Sequence, residues 1–409
     1  MGCVKNPKIL LEDWECPEIV NRKEQVRQIE DSIIKPLINE TRPPTLTYVY
    51  GASGSGKTFV ITKLIKNNLK KIKWHLPTFD FYYFNCKNFG IPSLHILFVN
   101  LAMKFTKHLP IKSEYFKREI IDVPLRGWTT DEYKEFCKEI INKRRLSVLL
   151  VLDEVDKIGK EKVEDLIYIM RGMNESDSYY GISTILISNN IGLLHSLSKG
   201  AFDRISIKIH FSSYGVDDLF NILKVHAKYA LEEGSYDDKT LFLIARKVAE
   251  VSTSAREAKI TLYNLAQMCE EKLNPDLIPK AFDETRKNLL LEEIIKRPIH
   301  HKLTLLAVVE VQKKIQKLAH YGKPGLFKYT SNLPTKSTIY NTYKKICQSL
   351  GEQPKSYRTF FDIIDDLDRY GLVKTEIRSL GRARGLTTLV RPVESIKTFE
   401  LLIKKAIGL

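Results

Sequence analysis

The chain has 409 residues, enough for two or three domains that each bury a hydrophobic core. Its composition, 43% hydrophobic and 28% charged, is typical of a globular protein and excludes the disordered and fibrous classes. The net charge is +16, no apolar run is long enough to span a membrane, and the six cysteines are scattered, as free thiols are in a reducing compartment.

A short predicted strand at 46–50 leads into a glycine-rich loop and a helix. The loop matches the phosphate-binding pattern G-x-x-x-x-G-K-[ST] with Gly51, Ala52, Ser53, Gly54, Ser55, Gly56, Lys57 and Thr58, and Phe59 follows it. Its glycines let backbone N–H groups close around phosphates, and the helix N-terminus adds a positive dipole end. We expect Lys57 to reach the β- and γ-phosphates and Thr58 to ligate Mg²⁺. The alternative is a Gly/Ser surface turn, which the flanking strand and helix disfavour. The sequence therefore predicts an ATP or ADP site with Mg²⁺.

Strands and helices continue to alternate after this loop. Strands are predicted at 79–84, 148–154 and 184–189, with helices at 91–109, 131–145 and 161–173 and an irregular segment at 110–130. The apolar run at 148–152 is typical of a parallel strand that is buried on both faces. This alternation predicts a parallel α/β nucleotide-binding domain over residues 1–213.

Polar residues end two of the predicted strands. Asp153 and Glu154 follow the apolar run at 148–152, where Asp153 is expected to hold Mg²⁺ and Glu154 to orient the attacking water. The alternative, an ordinary strand terminus, is disfavoured by the glycine loop earlier in the chain. Asn189 ends the next strand, where its amide would touch the γ-phosphate, although Ser-Asn-Asn is equally typical of a turn.

From residue 214 the pattern is helical, with helices predicted at 217–232, 238–251, 254–273 and 279–295. We interpret residues 214–297 as a small helical lid domain. Arg256 begins the third of these helices, with Ser254 as its N-cap. From there an arginine would reach the γ-phosphate and couple the nucleotide to domain closure. A solvated surface arginine explains the position equally well.

Residues 298–409 form a third predicted domain, with helices near 302–320, 337–350 and 355–370 and strands at 372–378 and 387–392. Glycines between the two strands suit a hairpin tip, so the pattern predicts a winged helix. Residues 300–409 carry 20 Lys and Arg against 9 Asp and Glu, a net charge of +11. Such an excess is typical of a protein that binds the phosphate backbone, although it also suits a solvated basic face.

In a winged helix the second helix enters the major groove of DNA by its first turn. Here that turn contains Lys355, Ser356, Tyr357 and Arg358, whereas acids at positions 362, 365, 366 and 368 keep the rest of the helix away from phosphates. Arg382 and Arg384 lie at the predicted wing tip, a placement that suits a narrow minor groove. The alternative is a winged helix that binds protein.

Together these motifs resemble the AAA+ ATPases, and within them the archaeal origin-recognition and cell-division-control replication initiators, over nearly the whole chain. Residues 17–24 resemble the adenine-side loop of that family, which implies that Ile19 and Val20 lie beside the nucleotide. Residues 151–156 resemble its metal-binding strand, 187–190 its sensor asparagine, 256–258 its second sensor and 379–387 its wing. The resemblance implies an α/β P-loop NTPase sheet, a helical lid and a C-terminal winged helix.

Two departures from the family pattern indicate a divergent paralogue. Thr253 and Ser254 stand where the family usually has Gly-Asp before the second sensor. The arginine finger is expected within 197–205, where Lys199 and Arg204 both remain candidates.

The resemblance implies an archaeal, cytoplasmic and nucleoid-associated protein that recognises origin duplex DNA and helps to load the replicative helicase. ATP would act as a conformational switch with slow hydrolysis. A paralogous initiator subunit is the implied partner, and no membrane partner is expected. A second DNA contact is implied for residues 110–130, through Lys112, Lys117, Arg118 and Arg126. The alternatives are a plasmid or viral DNA-maintenance ATPase and a signalling ATPase whose winged helix binds protein.

Overall fold

The computed structural model of the protein describes residues 3–11, 14, 16–39, 44–87, 94–174, 180–320, 335–379 and 386–408. The chain divides into two compact units, Met1–Pro279 and Lys280–Leu409. The division into three domains predicted from the sequence stays a prediction. No helix of the described residues is both long enough and apolar enough to cross a membrane.

The first unit is built around a parallel sheet. Its strands are, in chain order, β1 (Leu46–Gly51), β2 (Phe79–Asn85), β3 (Ile111–Ser113), β4 (Arg118–Ile120), β5 (Ser147–Asp153), β6 (Gly181–Ser188) and β7 (Ile207–Phe211). Five of them form one sheet in the order β2-β5-β6-β1-β7, and all of its neighbouring pairs are parallel. Parallel strands end at the same edge of a sheet, so the polar residues that follow them are brought together there.

Helices cover both faces of the sheet and continue beyond it. They are α1 (Lys8–Leu11), α2 (Lys23–Ile29), α3 (Lys35–Asn39), α4 (Lys57–His75), α5 (Leu94–Phe105), α6 (Thr130–Arg144), α7 (Lys160–Gly172), α8 (Ile191–Ser196), α9 (Lys199–Arg204), α10 (Val216–Ala230), α11 (Asp238–Ala249) and α12 (Ala255–Gln267). A π-helical stretch, Glu30–Ile34, joins α2 to α3. The helix α13 (Ile278–Ile295) begins at the boundary between the two units.

Two hydrophobic clusters hold the helices to the sheet. On one face, residues of α5 and α6 such as Phe98 and Phe136 pack with Leu150 of β5, and all three are fully buried. On the other face, Val60 and Ile61 of α4 pack with Val151 of β5. Every residue of β5 is buried because it lies between two strands and under helices on both sides. This burial fixes the position of Asp153, the last residue of β5, at the carboxyl edge of the sheet.

The predicted α/β class with a winged helix is confirmed, and the predicted strands agree with the observed ones to within a few residues. The prediction of an irregular segment at 110–130 is wrong in part, because β3 and β4 pair there as a short antiparallel hairpin. Strands of three residues are too short to show a period, which explains the error. The edge strand β7 was not predicted, although Ile207, Ile209 and Phe211 alternate with polar residues as a strand requires.

The second unit contains α14 (Ile299–His320), α15 (Lys336–Ser349), α16 (Tyr357–Arg369), the antiparallel hairpin β8 (Val373–Ser379) and β9 (Leu386–Pro392), and α17 (Ile396–Ile407). Its core contains Phe360, Ile364 and Leu367, which repeat at helical spacing along α16 and are fully buried. Three helices followed by a two-stranded hairpin confirm the winged helix. The terminal helix α17 was not predicted from the sequence.

Candidate functional site

The glycine loop lies between β1 and α4 at the carboxyl edge of the sheet. Lys57, the first residue of α4, is only 4% exposed. Its ammonium group donates to the carbonyl oxygens of Gly51 and Ala52 at 3.0 and 2.8 Å and to the Ser55 hydroxyl at 3.3 Å. Burial lowers the pKa of Lys57 to about 8, and the nearby Asp153 carboxylate opposes this shift. A buried cation whose hydrogen bonds go to neutral acceptors fits an incoming phosphate chain.

Two glycines of the loop are required by their conformation and by close neighbours. Gly54 and Gly56 have φ of +76° and +86°, in the left-handed region that favours glycine. A Cβ atom on Gly54 would lie 2.2 Å from the Ser254 hydroxyl oxygen, and one on Gly56 would lie 2.4 Å from the hydroxyl oxygen of Tyr214. The loop is therefore enclosed by residues that lie far along the chain.

The Asp153 carboxylate lies beside the loop and is held by three donors. Its Oδ2 atom accepts from the hydroxyl groups of Thr58 at 2.6 Å and of Tyr83 at 2.8 Å, and its Oδ1 atom accepts from the Glu154 backbone N–H at 2.7 Å. A hydroxyl and a carboxylate oxygen at this distance are the ligands that Mg²⁺ uses together with nucleotide phosphates. Thr58 and Asp153 were predicted from the sequence for this role, and the structure brings them together.

Glu154 follows directly, in a left-handed backbone conformation with φ of +55°. That conformation turns the chain sharply at the strand end and costs about 1 kcal/mol or more for a residue with a Cβ atom. Burial raises the pKa of Glu154 above its ordinary value, and nearby Lys87 opposes the shift. A carboxylate with a raised pKa is a better proton acceptor, so the placement suits the predicted role in orienting water.

Asn189 follows β6, the next strand of the sheet. Its backbone N–H donates to the Asp156 carboxylate at 2.8 Å, and the Ser188 hydroxyl donates to the same oxygen at 3.4 Å. Asp156 thus fixes the turn that carries Asn189 at the carboxyl edge. Within the described residues no cluster of three or more His, Cys, Asp or Glu could hold a metal ion by itself.

Arg22 was not predicted as a site residue, although it belongs to the segment that resembles the adenine-side loop. It is 4% exposed, and its guanidinium donates to the carbonyl oxygens of Ser55 at 2.9 Å and of Ser212 at 2.8 Å. Its carbon Cζ lies 3.9 Å from the centre of the Tyr214 ring. Arg22 therefore ties the glycine loop to the chain that follows β7.

The remaining residues of the adenine side have less defined contacts. Ile19 and Phe59 are partly buried against the hydrophobic cluster that holds α4 to the sheet. Val20 is half-buried next to Ile19. Their assignment to the nucleotide stays a prediction.

The first turn of α12 contacts the glycine loop. Ser254 caps this helix by accepting from the Glu257 N–H at 3.3 Å, and the Ala255 N–H donates to the Gly54 carbonyl oxygen at 3.3 Å. Arg256 is the next residue and is exposed. The structure therefore places the N-terminus of the helix that carries Arg256 against the loop, and the contact of Arg256 with the γ-phosphate stays a prediction.

We expect Arg256→Ala to weaken the binding of a non-hydrolysable ATP analogue about tenfold or more, and that of ADP much less, since a charge-assisted hydrogen bond contributes ~1.5–3 kcal/mol. Isothermal titration calorimetry of both nucleotides checks this. Arg246→Ala is the matched control, because Arg246 is an exposed arginine of α11 that pairs with Glu250. An equal loss for both nucleotides would assign Arg256 a structural role.

Lys199 and Arg204, the two candidates for an arginine finger, lie at opposite ends of α9 and are both exposed. The Arg204 guanidinium donates to the Gly200 carbonyl oxygen at 3.0 Å and lies 4.5 Å from the centre of the Tyr168 ring. Both remain candidates.

The predicted DNA-binding turn of the winged helix is exposed as a group: Lys355, Ser356, Tyr357 and Arg358. Ser356 caps α16 by accepting from the Thr359 N–H at 3.3 Å. Tyr343 accepts from the Lys355 N–H at 3.1 Å, and Tyr340 donates to its carbonyl oxygen at 3.1 Å, so the turn is held rigidly. Arg382 and Arg384 lie outside the described residues.

Three of the four acids on α16 are engaged within the second unit. Asp365 pairs with Lys336 at 2.9 Å, Asp366 with Arg369 at 2.7 Å, and Asp368 accepts from the Thr375 hydroxyl at 2.7 Å. The charges of Asp365 and Asp366 are therefore partly compensated by their cations, and these two carboxylates repel an approaching phosphate less than the sequence suggests.

Comparisons with known proteins agree with this architecture. Family models match residues 41–197, as an AAA domain, and residues 326–400, as the C-terminal winged-helix domain of CDC6. An ORC1-type DNA replication protein of Thermococcus kodakarensis is 30% identical over 92% of this chain and 85% of that relative. The ORC1-type DNA replication protein 3 of Saccharolobus solfataricus is 28% identical over 94% of this chain and 87% of that relative.

Solved structures are similar over the whole length. The Aeropyrum pernix ORC1 protein, solved in complex with DNA, has a TM-score of 0.73 at 22% identity and covers 98% of this chain and 97% of its own. Cdc6p from Pyrobaculum aerophilum has a TM-score of 0.57 at 23% identity and covers 99% of both chains. At these identities the likeness shows the fold.

Proposed function

The chain belongs to the family of ORC1-type DNA replication proteins, and on that premise we propose that it recognises origin duplex DNA and helps to load the replicative helicase. The observation that carries this proposal is the union of two features in one chain. A glycine loop with a buried Lys57 and an Asp153–Thr58 pair suits MgATP, and a winged helix presents Lys355 and Arg358 to solvent. The Aeropyrum pernix ORC1 protein, which has the same fold, was solved in complex with DNA, and this supports DNA as a ligand of this chain.

We further propose that ATP acts as a conformational switch. The contact between Gly54 and the N-terminus of α12 joins the glycine loop to the helices of the predicted lid domain. A γ-phosphate that engages Arg256 would therefore change the position of these helices relative to the loop. Structures of the Aeropyrum pernix ORC2 protein with ADPNP and ADP support both nucleotides as ligands. Mg²⁺, held by Thr58 and Asp153, would neutralise phosphate charge, and hydrolysis would be slow, well below ~10 s⁻¹.

A second DNA contact is proposed for the hairpin segment of residues 110–130. Its basic side chains Lys112, Lys117, Arg118 and Arg126 are all exposed. Arg382 and Arg384 of the wing are proposed to enter the minor groove. The proposed partners are a paralogous initiator subunit and the replicative helicase, in the cytoplasm of an archaeal cell at the nucleoid.

The proposal is tested by duplex binding of the full-length protein. We expect Arg358→Ala to cost about 1–3 kcal/mol on the specific site and to relax sequence choice, because a first-turn arginine pairs with guanine edges. Lys355→Ala is expected to weaken specific and random duplexes alike, since it removes a phosphate contact. Fluorescence anisotropy at several salt concentrations measures both effects.

Lys397→Ala provides the matched control, because Lys397 is an exposed lysine in the first turn of α17. If neither Arg358→Ala nor Lys355→Ala changes duplex binding, the winged helix is a protein-binding module and the signalling alternative is favoured. Mapping the chromosomal sites of the protein in its own cells separates an initiator from a plasmid-maintenance ATPase.

A further inference from the structure

The C-terminal half of α4 carries an exposed basic surface that the nucleotide site does not use. Trp74 is 84% exposed, more than any other large hydrophobic residue of the described chain. Residues 66–75 contain four lysines and no acid. All four are exposed, and within the described residues no acid lies within salt-bridge distance of Lys70, Lys71 or Lys73. An exposed tryptophan among unpaired cations is unusual for a surface that only contacts water.

The spacing of these residues places an aromatic ring and positive charges together. Lys70 is four residues before Trp74 and Lys73 is three residues after Lys70, so the three lie on adjoining parts of one helix face. We call Lys70, Lys71, Lys73 and Trp74 the Trp74 surface.

The chemistry of the Trp74 surface favours a polyanion with flat apolar faces. The residues three and four positions before Trp74 on this helix face, Lys71 and Lys70, are both exposed lysines, so these neighbours of the ring are charged and not the apolar ones of a protein-binding hot spot. Lysines have the charge opposite to that of phosphates, and an exposed indole stacks on bases. In a duplex the faces of the bases are covered by neighbouring base pairs, whereas in a single strand they are accessible. We propose that the Trp74 surface binds single-stranded DNA, with Trp74 stacked on an unpaired base and the lysines paired with phosphates.

The Trp74 surface is distant from the nucleotide loop. Trp74 lies 17 residues after Lys57 on the same helix, which at the helical rise separates them by about 25 Å. Substitutions at the surface should therefore leave nucleotide binding unchanged. The proposal is independent of duplex recognition by the winged helix, so each can fail without the other.

Intrinsic fluorescence of the full-length protein tests the proposal, because the chain has three tryptophans and only one is exposed. Trp14 contacts His226 and Tyr229, and Trp128 stacks on Phe116 at 4.4 Å between ring centres. We expect oligo(dT) of about 20 nucleotides to quench the tryptophan emission at low salt. Trp74→Phe, which keeps an aromatic ring but removes this reporter, should abolish the quenching.

The charge reversal Lys70→Glu with Lys73→Glu should raise the apparent Kd from quenching about tenfold and lower the salt slope by about 1.4, since each phosphate contact on a single strand contributes about 0.7. Lys239→Glu with Lys280→Glu, exposed lysines of α11 and α13, is the matched control and should change neither value. Thermal melting and ATP binding verify that each variant is folded.

Equal responses of the wild type and Trp74→Phe to oligo(dT) would overturn the proposal. So would quenching that survives the Lys70 and Lys73 reversal in folded protein. Quenching of Trp74 by poly-glutamate as strong as that by oligo(dT) would instead identify the surface as one for acidic protein segments.

Discussion

Lys57→Ala is expected to raise the Kd for ATP at least about a hundredfold, equivalent to ~3 kcal/mol of lost charge-assisted hydrogen bonding. Lys57 is buried in the glycine loop, where its ammonium group donates to the carbonyl oxygens of Gly51 and Ala52. A triphosphate brings charged acceptors to the same position, and alanine leaves them unpaired. Thermal melting with and without MgATP measures the effect, because a ligand at a hundred times its Kd stabilises the folded state by ~2.7 kcal/mol.

The control for this prediction is Lys63→Ala. Lys63 lies on α4, six residues after Lys57, and is half-buried. Its substitution therefore tests whether shortening a lysine on this helix lowers nucleotide binding or stability by itself. A stabilisation by MgATP that persists in folded Lys57→Ala protein would contradict the assignment of the loop.

Glu154→Gln should preserve ATP binding and lower the rate of hydrolysis at least about a hundredfold, the usual contribution of a positioned general base. Glutamine has the same shape as glutamate but cannot accept a proton. Burial raises the pKa of Glu154, which makes its carboxylate a stronger base than an exposed one. Single-turnover kinetics measure the rate of the hydrolysis step, and nucleotide titration measures the affinity separately.

Glu161→Gln is the matched control, since Glu161 is an exposed glutamate in the first turn of α7. If Glu154→Gln hydrolyses ATP at nearly the wild-type rate, another group orients the water. If it loses ATP binding as well, Glu154 supports the site structurally.

The parts of the site that could be predicted from the sequence are those that lie at the end of a recognisable strand. The glycine loop, Asp153, Glu154 and Asn189 each follow a strand with a clear apolar pattern, and parallel strands deliver their ends to one edge. Four of the five strands of the parallel sheet, the helices between residues 216 and 369 and the two strands of the wing were predictable for the same reason, because each has a strong local period or turn signal.

The contacts that complete the site come from distant positions and have no local signal. Arg22 reaches Ser212 across 190 residues, and Tyr83 reaches Asp153 across 70. Tyr214 lies 158 positions after Gly56 in the sequence, yet its hydroxyl group is packed against that glycine. An arginine or a tyrosine in a polar segment is usually solvated, so only the folded structure shows that Arg22 and Tyr214 are buried against the loop.

The close approach of Ser254 to Gly54 and of Tyr214 to Gly56 also restricts which residues the loop can contain. Neither glycine has room for one additional carbon atom. An alanine at either position would have to displace Ser254 or Tyr214, and it would also strain a backbone whose φ is positive. Sequence variation at these two positions is therefore limited by neighbours that lie far along the chain, and not by phosphate binding alone.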